Sequence, residues 1–210
     1  LRQGVLIATG TPAPGPRAMQ VILGTVLGDA SLVRRKLMMA QTCHELVELK
    51  ASVLSAFNPK TVMANGVSKP QHRPPKTFYT KPTPYLDWLR EQFYPEGVKR
   101  VPRHLIGALD DFGIAVWYMD DGSCRPYRGT SRPVAEISTG VLPEEDVQAL
   151  VDILNAKGYG CGVRKHWPHY HKVQFTTDGT ERLLKSISKY IPPSMRYKLP
   201  THNLDDFEPI

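Results

Sequence analysis

The hydrophobic pattern changes period repeatedly along the chain, and each change marks an element. Residues 1–17 are rich in Gly and Pro and read as an irregular arm. Residues 18–28 are apolar almost throughout, which predicts an apolar helix ending at Gly28-Asp29. Residues 31–43 mix β-branched, Met and basic side chains in strand-like stretches. Residues 45–57 place Leu46, Leu49, Val53, Leu54 and Phe57 at helical spacing and stop at Asn58-Pro59. Residues 61–84 are extended in character. Asn65-Gly66 marks a tight turn there, and the prolines exclude a long helix. Residues 84–94 give an amphipathic helix anchored by Leu86, Leu89 and Phe93.

A second round of the same kind follows. Residues 104–120 form a long, largely apolar segment, predicted as a helix, that runs into Asp-Asp-Gly. Residues 123–139 are extended. Residues 143–157 form an amphipathic helix with Pro143 at its first turn, Glu144, Glu145 and Asp146 at its positive end, and Gly158 as its stop. Residues 160–177 are extended with basic and aromatic residues interleaved, and residues 178–190 close the round as a helix. The order helix, two strands, helix, two strands, helix therefore occurs twice. Asp29 and Asp121, at the ends of the two leading helices, lie 92 positions apart, close to half the 210-residue chain. An internal duplication follows, with an arm at 1–17, halves at 18–103 and 104–201, and a tail at 202–210.

Composition narrows the class of protein. Hydrophobic residues make up 41% and charged residues 22%, ordinary for a globular chain. No apolar run approaches the roughly 20 residues of a membrane span, so no membrane partner is expected. No stretch has the layout of a signal peptide, and an intracellular location is expected. The chain begins at Leu1, which leaves its true start open. Cys43, Cys124 and Cys161 are scattered, which argues against a disulfide scaffold or a cysteine-rich zinc site. The net charge is +7 with a pI near 9.3. Charge alone leaves polyanion binding and a solubilising basic surface both open.

The two leading helices carry the chemistry. Residues 22–30 read Ile-Leu-Gly-Thr-Val-Leu-Gly-Asp-Ala, and residues 114–122 read Ile-Ala-Val-Trp-Tyr-Met-Asp-Asp-Gly. Each brings a carboxylate to the C-terminal end of an apolar helix. That end already carries about half a negative charge, so an acid there is repelled. A divalent cation removes the conflict. Gly24 and Gly28, and Ala115 on the other helix, would permit close helix approach and bring Asp29 and Asp121 within reach of shared metal ions. A simple turn role for either Asp is the plain alternative.

These segments resemble the LAGLIDADG motifs of the homing endonucleases, in the single-chain branch with two motifs. Residues 119–123, Met-Asp-Asp-Gly-Ser, resemble that branch's second-motif signature. Residues 191–200, Ile-Pro-Pro-Ser-Met-Arg-Tyr-Lys-Leu-Pro, resemble its closing segment, and Lys99-Arg-Val-Pro102 the close of the first half. The resemblance covers about residues 18–201. Ala30 replaces the final Gly of the first motif, and Val116 and Asp120 stand where small residues are usual.

The resemblance implies an α+β fold of two αββαββα units. Each unit has a four-stranded antiparallel sheet, and the sheets form a DNA-binding saddle around the two motif helices. It implies a monomeric, site-specific endonuclease that hydrolyses one phosphodiester in each strand of a long asymmetric duplex, promoting intron or intein mobility. Asp29 and Asp121 would hold Mg²⁺, with the backbone carbonyls of Gly28 and Asp120 as further ligands. Mn²⁺ or Ca²⁺ would substitute for binding. Lys99 and Lys198 match the basic active-site positions, and Gln41 and Ser138 would orient water. DNA contacts are expected from Arg34, Arg35, Lys36, Lys69, Arg73, Lys76 and Lys81 in the first half. Those of the second half are Arg125, Arg128, Arg132, Arg164, Lys165, His166, His169 and Lys172. His166, His169 and His171 also have spacing that suggests zinc, but no second ligand cluster accompanies them. The alternative function is an intron RNA maturase, or a DNA-binding regulator, that keeps the fold without cleavage. The compartment is either an organelle matrix or a bacterial, archaeal or phage-infected cytoplasm.

Overall fold

A computed structural model describes residues 14–63, 74–126, 132–140, 142–166 and 170–200, with the His166 side chain also outside the description. The chain divides into two units, Leu1–Val98 and Lys99–Ile210. The division falls ahead of the expected boundary at residue 103. Arg100 explains the difference: its Nε donates to Asp146 Oδ2 at 2.6 Å and its Nη2 to Glu145. The loop before residue 103 is thereby tied to the second unit.

In the first unit, α1 (Pro16–Leu27) starts earlier than expected, with Pro16 at the first helical position, where its fixed φ suits a helix. Residues Ala18 to Leu27 are all buried, so α1 has no solvent face beyond its first turn. Strands β1 (Ser31–Val33) and β2 (Lys36–Gln41) follow, then α2 (His44–Val53). The helical spacing through Phe57 is realised as α2 plus a 3-10 turn at Ser55–Phe57, ended by Asn58 at φ 46°. Strands β3 (Lys60–Met63) and β4 (Lys76–Tyr79) lead to α3 (Pro84–Phe93). Thr83 caps α3 by accepting from Leu86 N at 3.2 Å. The expected Asn65-Gly66 turn lies outside the described residues.

The second unit repeats this order. The long apolar segment is not one helix. It splits into α4 (Arg103–Ile106) and α5 (Asp111–Asp121), because Asp110 caps the second piece by accepting from Gly113 N at 2.9 Å. Strands β5 (Gly122–Pro126) and β6 (Pro133–Ser138) precede α6 (Glu144–Ala156). Pro143 is the cap of α6 rather than part of its first turn. Gly158 stops the chain at φ 88°, a left-handed conformation open to glycine. Strands β7 (Cys161–His166) and β8 (Tyr170–Phe175) lead to α7 (Thr177–Ile187). Helix α7 passes into a 3-10 turn at Ser188–Tyr190, and the closing segment forms another at Pro193–Lys198.

Each unit thus holds one four-stranded antiparallel sheet, ordered β1-β2-β4-β3 in the first and β5-β6-β8-β7 in the second. Strand alternation gives each sheet a covered and an open face. In the first, Leu32, Leu37, Met39 and Phe78 are buried beneath α2 and α3 with Leu46, Leu86, Leu89 and Phe93. Each fully buried side chain of this size contributes about 2 kcal/mol. In the second, Ala135, Ile137, Val173 and Phe175 face Leu150, Leu154, Leu183 and Leu184.

Candidate functional site

Helices α1 and α5 end without a basic side chain in the last turn. The negative ends of their dipoles are therefore not offset from within the helix. The two ends are built differently. Helix α1 stops at Leu27, Gly28 N still bonds Gly24 O at 3.2 Å, and Asp29 stands exposed in the turn beyond. Ala30 then turns inward: it is 4% exposed, and its N–H reaches Thr25 O at 2.9 Å. This path leaves room for a methyl group where the family motif has glycine. Helix α5 instead runs through Asp121, and Gly122 begins β5 directly. A Cβ on Gly122 would lie 2.3 Å from the Tyr118 ring and 2.4 Å from Tyr118 O, so glycine is required there.

Around Asp29, Gln41 at the end of β2 donates from Nε2 to Asp29 Oδ2 at 2.5 Å. Gln41 reaches it because β2 alternation puts Leu37, Met39 and Gln41 on the covered face. In the second unit, Lys198 Nζ donates to Asp120 O at 2.9 Å, at the carbonyl end of α5. The Tyr118 hydroxyl donates to Lys198 O at 2.8 Å, and burial pushes that phenol's pKa up, keeping it a donor. Ser138 closes β6 just past the Gly122–Ile137 pair, on the open face opposite Lys172. Lys99 lies half-buried at the start of the second unit.

Among the described residues, no three His, Cys, Asp or Glu side chains group together as a metal shell. What each motif offers is oxygen: a carboxylate and the carbonyls of a helix end, although the Asp120 carbonyl expected as a ligand accepts from Lys198 Nζ here. That donor set is hard and fits Mg²⁺ rather than a soft metal.

The expected DNA-contact residues divide by face. Arg34 and Arg35 form the β1–β2 turn, both at positive φ, 48° and 66°. Lys36 stands on the open face, 5.6 Å above the Tyr79 ring. Lys81 follows β4 and is exposed. Arg125 is exposed on β5, and Arg132 is exposed just before β6. Arg164 and Lys172 share the open face of the second sheet.

Two residues depart from expectation. Lys76 has the parity of buried Phe78 and so faces the helices, where it bonds Glu48 at 2.7 Å and lowers that carboxyl's pKa. Lys165 has the opposite parity to Arg164 and pairs with Glu144 at 3.0 Å, again lowering the acid's pKa. In both cases period-2 alternation, not charge, decides the face. Lys69, Arg73, Arg128 and His169 lie outside the described residues, as does the His166 side chain. Sequence reasoning missed two groups that bond expected site residues. The Tyr118 hydroxyl gave no signal beyond its place in an apolar helix. Glu136 was legible as the one acid in residues 123–139, which also carry Arg125, Arg128 and Arg132.

Two antiparallel four-stranded sheets, each led by a buried helix with a carboxylate at its end, define a duplicated α+β fold of the homing endonuclease type. Residues 19–189 match the model of the LAGLIDADG DNA endonuclease family, and the chain belongs to that family. It is 32% identical over 114 residues to an uncharacterized protein of Methanocaldococcus jannaschii, covering 53% of this chain and 42% of that one. It is also 32% identical over 97 residues to a probable intron-encoded DNA endonuclease of Mycosarcoma maydis, covering 46% and 68%. A cytochrome b mRNA maturase of Saccharomyces cerevisiae is 30% identical over 120 residues, covering 55% and 27%. The chain thus spans less than half the length of two of these three relatives.

Among solved structures, the homing endonuclease I-WcaI bound to its DNA recognition sequence superposes with a TM-score of 0.74 at 18% identity, covering 90% of this chain and 88% of that one. I-DmoI in complex with DNA and Mn gives 0.52 at 12% identity, covering 82% and 96%. At these identities the likeness establishes the fold.

Proposed function

We propose that this chain is a metal-dependent, site-specific endonuclease that cuts both strands of a long asymmetric DNA duplex. The observation that carries the reading is the paired helix ends. Each leading helix brings an acid to its negative pole, with Gln41 holding Asp29 and Lys198 bound at the carbonyl beside Asp121. Asp29 and Asp121 would hold Mg²⁺; the I-DmoI structures with DNA and Mn, Mg or Ca support use of a divalent ion. The bound ion would polarise the scissile phosphate and favour a hydroxide nucleophile at neutral pH. Gln41 keeps Asp29 in one rotamer, so the carboxylate is positioned before DNA arrives. Lys198 lies beside the acid, where its ammonium can shift to the phosphate as negative charge develops. Arg34, Arg35, Lys36 and Arg125 supply positive charge on the open faces and their rims, which draws the phosphate backbone.

The test incubates the full chain with a random-sequence duplex library in Mg²⁺ and sequences the ends produced. Recurrent double-strand cuts at one motif are expected, abolished by Asp29→Asn or Asp121→Asn. An Asp29→Asn variant that cuts both strands normally overturns the catalytic assignment. The likeness to the yeast maturase favours one second reading, binding of intron RNA with the same fold. Binding without cleavage in active metal would support it.

A further inference from the structure

An acid sits at the centre of the second sheet's open face. Glu136 on β6 lies opposite Ser123 on β5 and Gln174 on β8. Its Oε1 accepts from Gln174 Nε2 at 2.8 Å and from Arg164 Nη1, and Lys172 Nζ stands 3.4 Å from its Oε2. The side chains of Glu136 and Lys172 are 15% and 18% exposed, while Arg164 is 41% exposed. The carboxylate and the ammonium are therefore sunk into the sheet, and the guanidinium stands above them. Lys172 also lies 5.9 Å over the Tyr170 ring, which limits its movement further.

A carboxylate here is counterproductive if the face only holds phosphate, because it subtracts from the positive charge that releases counterions. It is useful if the face reads bases. A guanidinium presents five donors in a rigid fork. With Nη1 held on Glu136, the swing of the fork is restricted, and its other donors are not used by that bond. An Arg presented this way matches the O6 and N7 acceptors of guanine, and little rotamer freedom is left to lose on docking.

We propose that Glu136 is a specificity-determining positioning residue. It holds Arg164, with Lys172 and Gln174 behind it, in one preset arrangement that reads a guanine in the half-site facing this sheet. The proposal rests on the DNA-binding reading above.

The experiment is a binding selection of the full chain against a random-sequence duplex pool in Ca²⁺. Wild type is expected to enrich a defined motif. Glu136→Gln keeps the shape of the side chain but removes its charge. Its preference for one G·C pair should fall about tenfold or more while the rest of the motif persists, and its affinity for mixed-sequence DNA should rise. Arg164→Ala should relax the same position. The inference is overturned if Glu136→Gln enriches the wild-type motif unchanged, or if the two variants relax different positions. Uniform weakening of the whole motif with a lowered Tm marks Glu136 as structural and overturns it too. If wild type itself enriches nothing, it is the DNA-binding reading that fails first, and the inference falls with it.

Discussion

Replacing Lys198 with Met separates the hydrogen bond this side chain makes from the catalytic role proposed for it. The ammonium donates to Asp120 O at 2.9 Å, so its removal loses a charge-assisted hydrogen bond at the end of α5. Such bonds contribute about 1.5–3 kcal/mol. Lys198 is half-buried, which places the loss near the lower bound, about 1–1.5 kcal/mol. For a chain of this length that lowers Tm by about 2–6 °C. If the ammonium also stabilises charge on the phosphate, cleavage falls by about 10²–10³, far more than the stability loss explains. Tyr118→Phe is the control. It removes the hydroxyl that donates to Lys198 O at 2.8 Å and costs about 1–3 kcal/mol, yet leaves the ammonium in place. Thermal denaturation and single-turnover cleavage of the selected duplex, run on both variants, measure the two effects. Equal activity in Lys198→Met and wild type, or a cleavage loss in both variants that tracks Tm, refutes the catalytic part of the assignment.

Three further outcomes follow from local geometry. Gly122→Ala forces a methyl group into the Tyr118 ring and carbonyl, so it should cost about 1–3 kcal/mol in denaturant melts and displace Asp121 enough to remove cleavage. Arg34-Arg35→Asn-Gly suits a turn with two positive-φ residues. It should raise stability by about 1–2 kcal/mol, and it should reduce the slope of log K against log salt by about two if both arginines contact phosphate. Burial pushes the Cys124 and Cys161 thiols up to about 11 and about 12. At pH 8 both are then overwhelmingly protonated, and alkylation should be slow in the native chain and fast after unfolding. The sign also fixes their linkage to stability. Below the ordinary thiol value of 9.0 they leave stability unchanged, and as pH rises above it the unfolded chain ionises first and stability falls.

The duplicated order of elements, the two motif helices and the family resemblance were all legible in the sequence, because apolar period and helix-end chemistry are local properties of the chain. The same locality explains where element ends slipped. Asp110 capping α5 and Pro16 opening α1 are single-residue signals inside apolar or Pro-rich runs, which an averaged pattern smooths over. Basic residues in strands were legible as a group but not by face. Lys76 and Lys165 turned out to serve the helix side, since a strand's register is set by which alternate positions the core takes, as with Phe78 beside Lys76.

The sequence by itself determined that Asp29 and Asp121 close two apolar segments and that extended stretches with basic residues follow each. Only the tertiary structure decided what holds these groups. Gln41 meets Asp29 across the 3-D path from β2 to α1, Lys198 returns to Asp120 from the far end of its unit, and Glu136 gathers Arg164, Lys172 and Gln174 from two neighbouring strands. Such contacts join residues far apart in the chain. They depend on strand pairing and on which face each side chain takes, and neither is encoded in local spacing.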